Sequence, residues 1–124
     1  QKNLFETRRD ELSSRQQILE NQAASLQEQL RSYEQIRNHL ETQLDYQRKE
    51  LDGLRQLAAE GYVPRNRLLE MERAQAQLVA AVAEATGQIG RSQRQIAELR
   101  LRQLQRQQDL LVSVQAFSSV DVQL

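Results

Sequence analysis

The 124-residue sequence has no cysteine and no tryptophan, one proline, four glycines and a single histidine. Each shortage closes a class of explanation. Without cysteine there is neither a disulfide framework nor a thiolate metal site, and His39 alone cannot supply a zinc centre. Hydrophobic residues make up 39% and aromatics 4% of the chain. That is too little bulky apolar volume for a three-dimensional core, whereas two helices zipped along one stripe need far less. No apolar run approaches the ~20 residues that span a bilayer, and none has the basic–apolar–small pattern of a leader. Gln1 opens the sequence without Met and Leu124 falls in mid-pattern, as expected of a segment of a longer protein.

Charge of one sign is also missing. Seventeen Lys and Arg balance seventeen Asp and Glu. Nucleic-acid binding draws most of its affinity from a basic excess against phosphate, so a nucleic-acid partner is not expected. The local basic pairs Arg8-Arg9 and Arg48-Lys49 are surrounded by Glu6, Asp10, Glu11, Asp45 and Glu50, the pattern of a solvated helix face.

What is present is periodicity. Phe5, Leu12, Leu19, Leu26, Tyr33, Leu40 and Leu54 share one seven-residue position, broken only at Gln47. Four residues on, Ala23, Leu30, Leu44, Leu51 and Ala58 share a second, with Arg9, Gln16 and Arg37 as exceptions. Two apolar positions per heptad at this spacing make a coiled-coil seam. A weaker seam follows. Leu68, Val82, Ile89, Ile96 and Leu110 hold one position, interrupted at Gln75 and Gln103. Met71, Leu78, Ala85 and Leu99 hold the other, interrupted at Ser92 and Arg106. Towards Leu101, Leu104 and Leu111 the stripe drifts into a neighbouring frame.

Between the seams lies the only clear break, Ala59 to Arg65. Gly61 suits the left-handed residue that closes a helix, and Pro64 suits the first turn of the next. A link this short forces two long helices antiparallel. The expected fold is therefore all-α: a long antiparallel two-helix coiled-coil hairpin. Residues 1–60 form the first arm, 61–65 the tip and 66–116 the second arm. In residues 112–124 strand-like alternation competes with the helical spacing of Leu110, Val114 and Phe117. The expectation there is helix to about 116, then a bend or a further segment over 117–124.

Catalytic raw material is absent. Gly87-Gln88-Ile89-Gly90 has no Lys-Ser/Thr after it and lies inside a helical stripe, so it reads as local thinning where backbones approach or the arm bends. Carboxylates such as Glu70 and Glu72 fall on exposed helix positions, without the concave, partly dry site that general acid–base chemistry needs. No enzyme activity, cofactor or metal is expected. The tip is the candidate site. Leu57, Gly61, Tyr62, Val63, Pro64 and Arg65 gather apolar groups where two helices end. Tyr62 and Val63 either fold back to plug the last seam layer or stand out as a docking surface.

The stretch Leu54 to Glu70, with its Leu-x3-Gly-Tyr-Val-Pro turn, resembles the hairpin tip of periplasmic membrane fusion (adaptor) proteins of type I secretion systems, of the hemolysin- and protease/lipase-exporting kind. The resemblance covers roughly residues 40–110. It implies an inner-membrane-anchored periplasmic protein that links an ABC transporter to a TolC-like outer-membrane channel. The tip would meet the channel, and several copies would assemble together. Many tips of that family carry an Arg–Leu–Ser signature. Leu57 matches its Leu, while Gly53 and Pro64 stand at the Arg and Ser positions, with Arg55 and Arg65 as the nearest replacements for the charge. A generic structural rod, which would pair in parallel through the seam, and a nucleic-acid-binding helical arm are the competing readings.

Overall fold

The computed structural model describes residues 2–123, with side chains placed over residues 3–118. Gln1 and Leu124, the outermost residues of the expected segments, lie outside the described residues. Two helices account for nearly all of it: α1, Lys2–Ala59, and α2, Arg65–Gln123. The chain forms two compact units, Leu30–Arg91 and the pair of segments Gln1–Gln29 and Ser92–Leu124.

The unit Leu30–Arg91 contains the turn, so its two helical segments run antiparallel. Leu44 and Leu51 of α1 and Ala85 and Ile89 of α2 are buried, and Leu51 is fully so at 0% exposure. Leu40, Leu54 and Ala58, with Leu68, Met71, Leu78 and Val82, are half-buried beside them. These are the two seam positions of each helix. Such partial burial is what a two-helix contact can give, since each apolar side chain meets only one neighbouring helix. The polar interruptions stay in the stripe: Arg37, Gln47 and Gln75 are half-buried. Arg37 Nε and Gln47 Oε1 are buried without a hydrogen-bond partner. Unpaired groups of this kind cost stability, and polar seam positions are best known for holding register.

In the other unit, Leu19, Ile96 and Leu99 are buried together with Ser92. Small Ser92 occupies a seam position where Leu would be bulkier. Further along, the contact thins. Gln16 and Arg106 are exposed at seam positions, and Leu12, Gln16, Gln103 and Leu110 line one groove between the segments. Near the ends Phe5 and Phe117 meet with ring centroids 4.8 Å apart and planes tilted by 31°. That spacing is within the range of favourable aromatic pairs.

Three expectations are corrected. The helix does not stop at 116: α2 continues to Gln123. No Gly or Pro follows Gly90 to break it, and the Phe117 ring is held against Phe5 in the helical register. The seam does not change frame either. Leu101, Leu104 and Leu111 remain exposed, Leu101 at 57%, while Gln103 at the original position is half-buried. Finally, Gly87 and Gly90 do not mark a close backbone approach. A Cβ at Gly90 would meet nothing within 4 Å, and one at Gly87 only the Arg91 guanidinium at 3.7 Å.

Leu51→Ala is expected to destabilise the chain by about 2–5 kcal/mol, the usual cost of emptying a buried leucine site. Leu101→Ala should fall within about 0.5 kcal/mol of the parent. Gly53→Ala and Gly90→Ala, both pointing into open space, should each gain about 0.5–1 kcal/mol. Urea unfolding followed by helical circular dichroism reads all four.

Candidate partner-binding tip

The turn is built from backbone hydrogen bonds. Glu60 N–H donates to Gln56 O at 3.2 Å, the last bond of ordinary helical spacing. Gly61 N–H then donates to Ala58 O at 3.1 Å, and Tyr62 N–H reaches back to Leu57 O at 2.9 Å. The paired 5→2 and 6→1 bonds are a Schellman motif, which satisfies carbonyls that a helix end otherwise leaves open. The motif requires a left-handed residue at Gly61, and its φ is +83°. Any side chain there would be strained. On the far side, Pro64 immediately precedes α2. Its carbonyl accepts from Arg67 N–H at 3.1 Å and Leu68 N–H at 3.5 Å, starting the second helix.

This geometry separates Tyr62 from Val63. Tyr62 is 76% exposed, whereas Val63 is half-buried. The two arrangements left open by the sequence thus both occur: Val63 turns inward, and Tyr62 stands in water. Leu57, 44% exposed, lies on the last turn of α1. Gly61, Pro64 and Arg65 are exposed as well. One residue escaped the sequence reading. Leu69, on the first turns of α2, is 46% exposed; its position one residue past seam residue Leu68 was the available signal.

Charged groups near the tip are partly committed to one another. The Arg55 guanidinium lies 3.5 Å from Asp52 and reaches across the seam to Glu72 at 3.6 Å. Glu72 is therefore half-buried in a cross-helix pair rather than standing free on an outer face. Such exposed pairs contribute at most about 1 kcal/mol. Arg65, by contrast, is the first residue of α2 and is exposed. At Gly53, which is exposed, a Cβ would meet nothing within 4 Å. Among the described residues, no group of three or more His, Cys, Asp or Glu is placed to hold a metal ion. No described helix is long and apolar enough to cross a membrane.

The chain has known relatives. The family model described as AprE, long alpha-helical hairpin, matches residues 1–116. The alkaline protease secretion protein AprE of Pseudomonas aeruginosa is 45% identical over 60 residues, which are 48% of this chain and 14% of that protein. The crystal structure of the soluble domain of LipC, a membrane fusion protein of a type I secretion system, superposes with a TM-score of 0.82 at 33% identity. It does so over 92% of this chain and 54% of that one. The chain thus spans about half the length of the solved relative and a small part of the curated one.

Gly61→Ala is expected to cost about 1–2 kcal/mol, the penalty of a left-handed L-residue. Arg55→Ala should cost less than about 1 kcal/mol, and less again at high salt. Thermal unfolding at two ionic strengths checks both.

Proposed function

The chain belongs to the AprE family of long α-helical hairpins, and on that premise we propose that it is the hairpin of a membrane fusion protein in a type I secretion system. Its role is structural: it bridges an inner-membrane ABC transporter and a TolC-like outer-membrane channel in the periplasm, and the tip docks the channel. The transporter contact falls to parts of the protein other than this hairpin. Several copies surround the export path. The observation that carries tip docking is the exposure of Tyr62 beside a turn that is rigidly hydrogen-bonded. A large amphipathic ring on a fixed backbone loses little entropy on binding, which is why tyrosine is prominent among residues that dominate interfaces.

The departures from the Arg–Leu–Ser signature give the docking its chemistry. With Gly53 and Pro64 at two of the three positions, the contact rests on Leu57, Tyr62 and Pro64 as apolar groups, with Arg65 as the basic one. The channel end that receives it then offers an apolar recess with an acidic or carbonyl rim. Gly61 acts indirectly, by fixing the turn, and Val63 by closing the seam beneath it.

The test uses the absence of cysteine. In cells secreting through the full-length protein, Tyr62→Cys or Arg65→Cys should crosslink to the outer-membrane channel, and Gln29→Cys should not. Crosslinks from Gln29→Cys with none from either tip position would contradict tip docking. Tyr62→Ala is further expected to weaken channel binding by about 2 kcal/mol, roughly thirtyfold, with unchanged protein level.

A further inference from the structure

In the unit Leu30–Arg91, several features that each weaken a helix or its seam fall at one level. The helices reverse about Tyr62, so residues equally distant from it in sequence are about level. Thr42 Oγ1 donates to Asn38 O and Thr86 Oγ1 to Val82 O, both at 2.9 Å. The first bond spans the residues 20 and 24 before Tyr62, and the second those 20 and 24 after it. A hydroxyl that bonds the carbonyl one turn back loosens the backbone ladder and favours bending. Thr7, in the other unit, does the same to Asn3 O at 2.6 Å; what sets Thr42 and Thr86 apart is that they face each other in height.

Both glycines of α2 stand at this place. Gly87 and Gly90 are 25 and 28 residues after Tyr62, and α2 runs helically through them. Each weakens a helix interior roughly two- to fivefold against alanine. Contacts within the chain do not require them, since a Cβ at Gly90 meets nothing and one at Gly87 meets only the flexible Arg91 guanidinium. Glycines, and side chains that intrude on the helical ladder, are among the usual causes of a kink. The seam is thin here as well. Between Leu30 and Leu40, α1 gives it Tyr33 and Arg37 instead of aliphatic side chains. Arg37, 25 residues before Tyr62, is half-buried, and its Nε has no hydrogen-bond partner. On α2, Ile89 is the one large aliphatic seam residue between Val82 and Ile96. Nearer the turn the seam recovers, with Leu44 and Leu51 buried.

We infer that this level, roughly 35 Å from the turn, is a hinge built into the hairpin. Here α2 opens and bends over residues 86–90 and α1 gives over residues 37–42, while the seam between this level and the turn stays zipped. The threonine bonds loosen both helices from within, and the glycines make α2 easier to bend. Arg37 favours the opening, because water then solvates its unpaired nitrogen. Position is the decisive point. The same features scattered along the arms would soften them everywhere, whereas stacked at one level they concentrate the motion. The turn end can then swing as one piece. The inference stands on the physics of the chain alone and does not rest on the proposed docking.

Amide hydrogen exchange of the full-length protein, corrected for intrinsic rates, tests it. Amides over residues 36–43 and 84–91 should exchange about tenfold faster than those over 47–54 and 71–79, since local openings expose only their own stretch. Equal protection in all of these stretches overturns the inference. Gly87→Ala with Gly90→Ala, and Arg37→Leu separately, should each slow exchange at the hinge several-fold and leave 47–54 and 71–79 unchanged. Exchange that stays fast in either variant overturns it too. Gly53→Ala is the control, because it strengthens α1 nearer the turn without touching the hinge. It should leave exchange over 36–43 and 84–91 as it was. If it slows these stretches as much as the paired glycine variant does, the opening belongs to the whole hairpin and there is no hinge.

Discussion

Everything in this structure depends on one contact, the packing of a single apolar stripe on α1 against a single stripe on α2. Each helix alone is a poor structure in water, because helix nucleation is costly and tertiary packing supplies most helical stability. The stripe is narrow, so few residues are fully buried and the remaining faces are free to differ. Its composition is graded along the chain. Leucines dominate around Leu44 and Leu51, while small or polar residues enter at Ser92, Gln16 and Arg106. The unpaired Arg37 Nε and Gln47 Oε1 show that the seam tolerates a loss of stability at defined points. A slipped register would bring such groups opposite leucines.

A seam of this kind leaves recognition to what it does not cover. At the turn, the Schellman bonds consume the last carbonyls of α1 and force Gly61 into the left-handed region. That conformation sends Val63 inward and Tyr62 outward. The tip is thus a rigid presentation of a few side chains, in keeping with a docking role in a secretion adaptor. Along the arms, exposed apolar and small residues sit in frames offset from the seam.

The fold was largely legible in the sequence because the seam obeys a strict period. Every apolar residue assigned to it from Leu12 to Leu99 is buried or half-buried. The turn was legible because Gly61 and Pro64 each have a stereochemical job that few other residues perform. What escaped was decided by neighbours rather than by local chemistry. The alternation of Val112 and Val114 suggested a change of structure, but the Phe5–Phe117 contact comes from residues far apart in sequence. Leu101, Leu104 and Leu111 suggested a new frame, since periodicity cannot tell a second surface stripe from a shifted seam. Which of Tyr62 and Val63 faces solvent depended on the turn's hydrogen bonds, and both are apolar enough for either place.

The central claim is that the stripe on α1 is satisfied by α2 of the same chain, not by another chain in parallel. The most direct measurement is disulfide formation in the variant carrying Leu44→Cys and Leu78→Cys, two seam positions at nearly equal distances from Tyr62 in a chain otherwise free of cysteine. An antiparallel hairpin predicts a bond within one chain, with monomeric mass after oxidation at low concentration. A parallel two-chain coil would instead place each Leu44→Cys beside its counterpart, and covalent dimers with no intrachain bond would contradict the account.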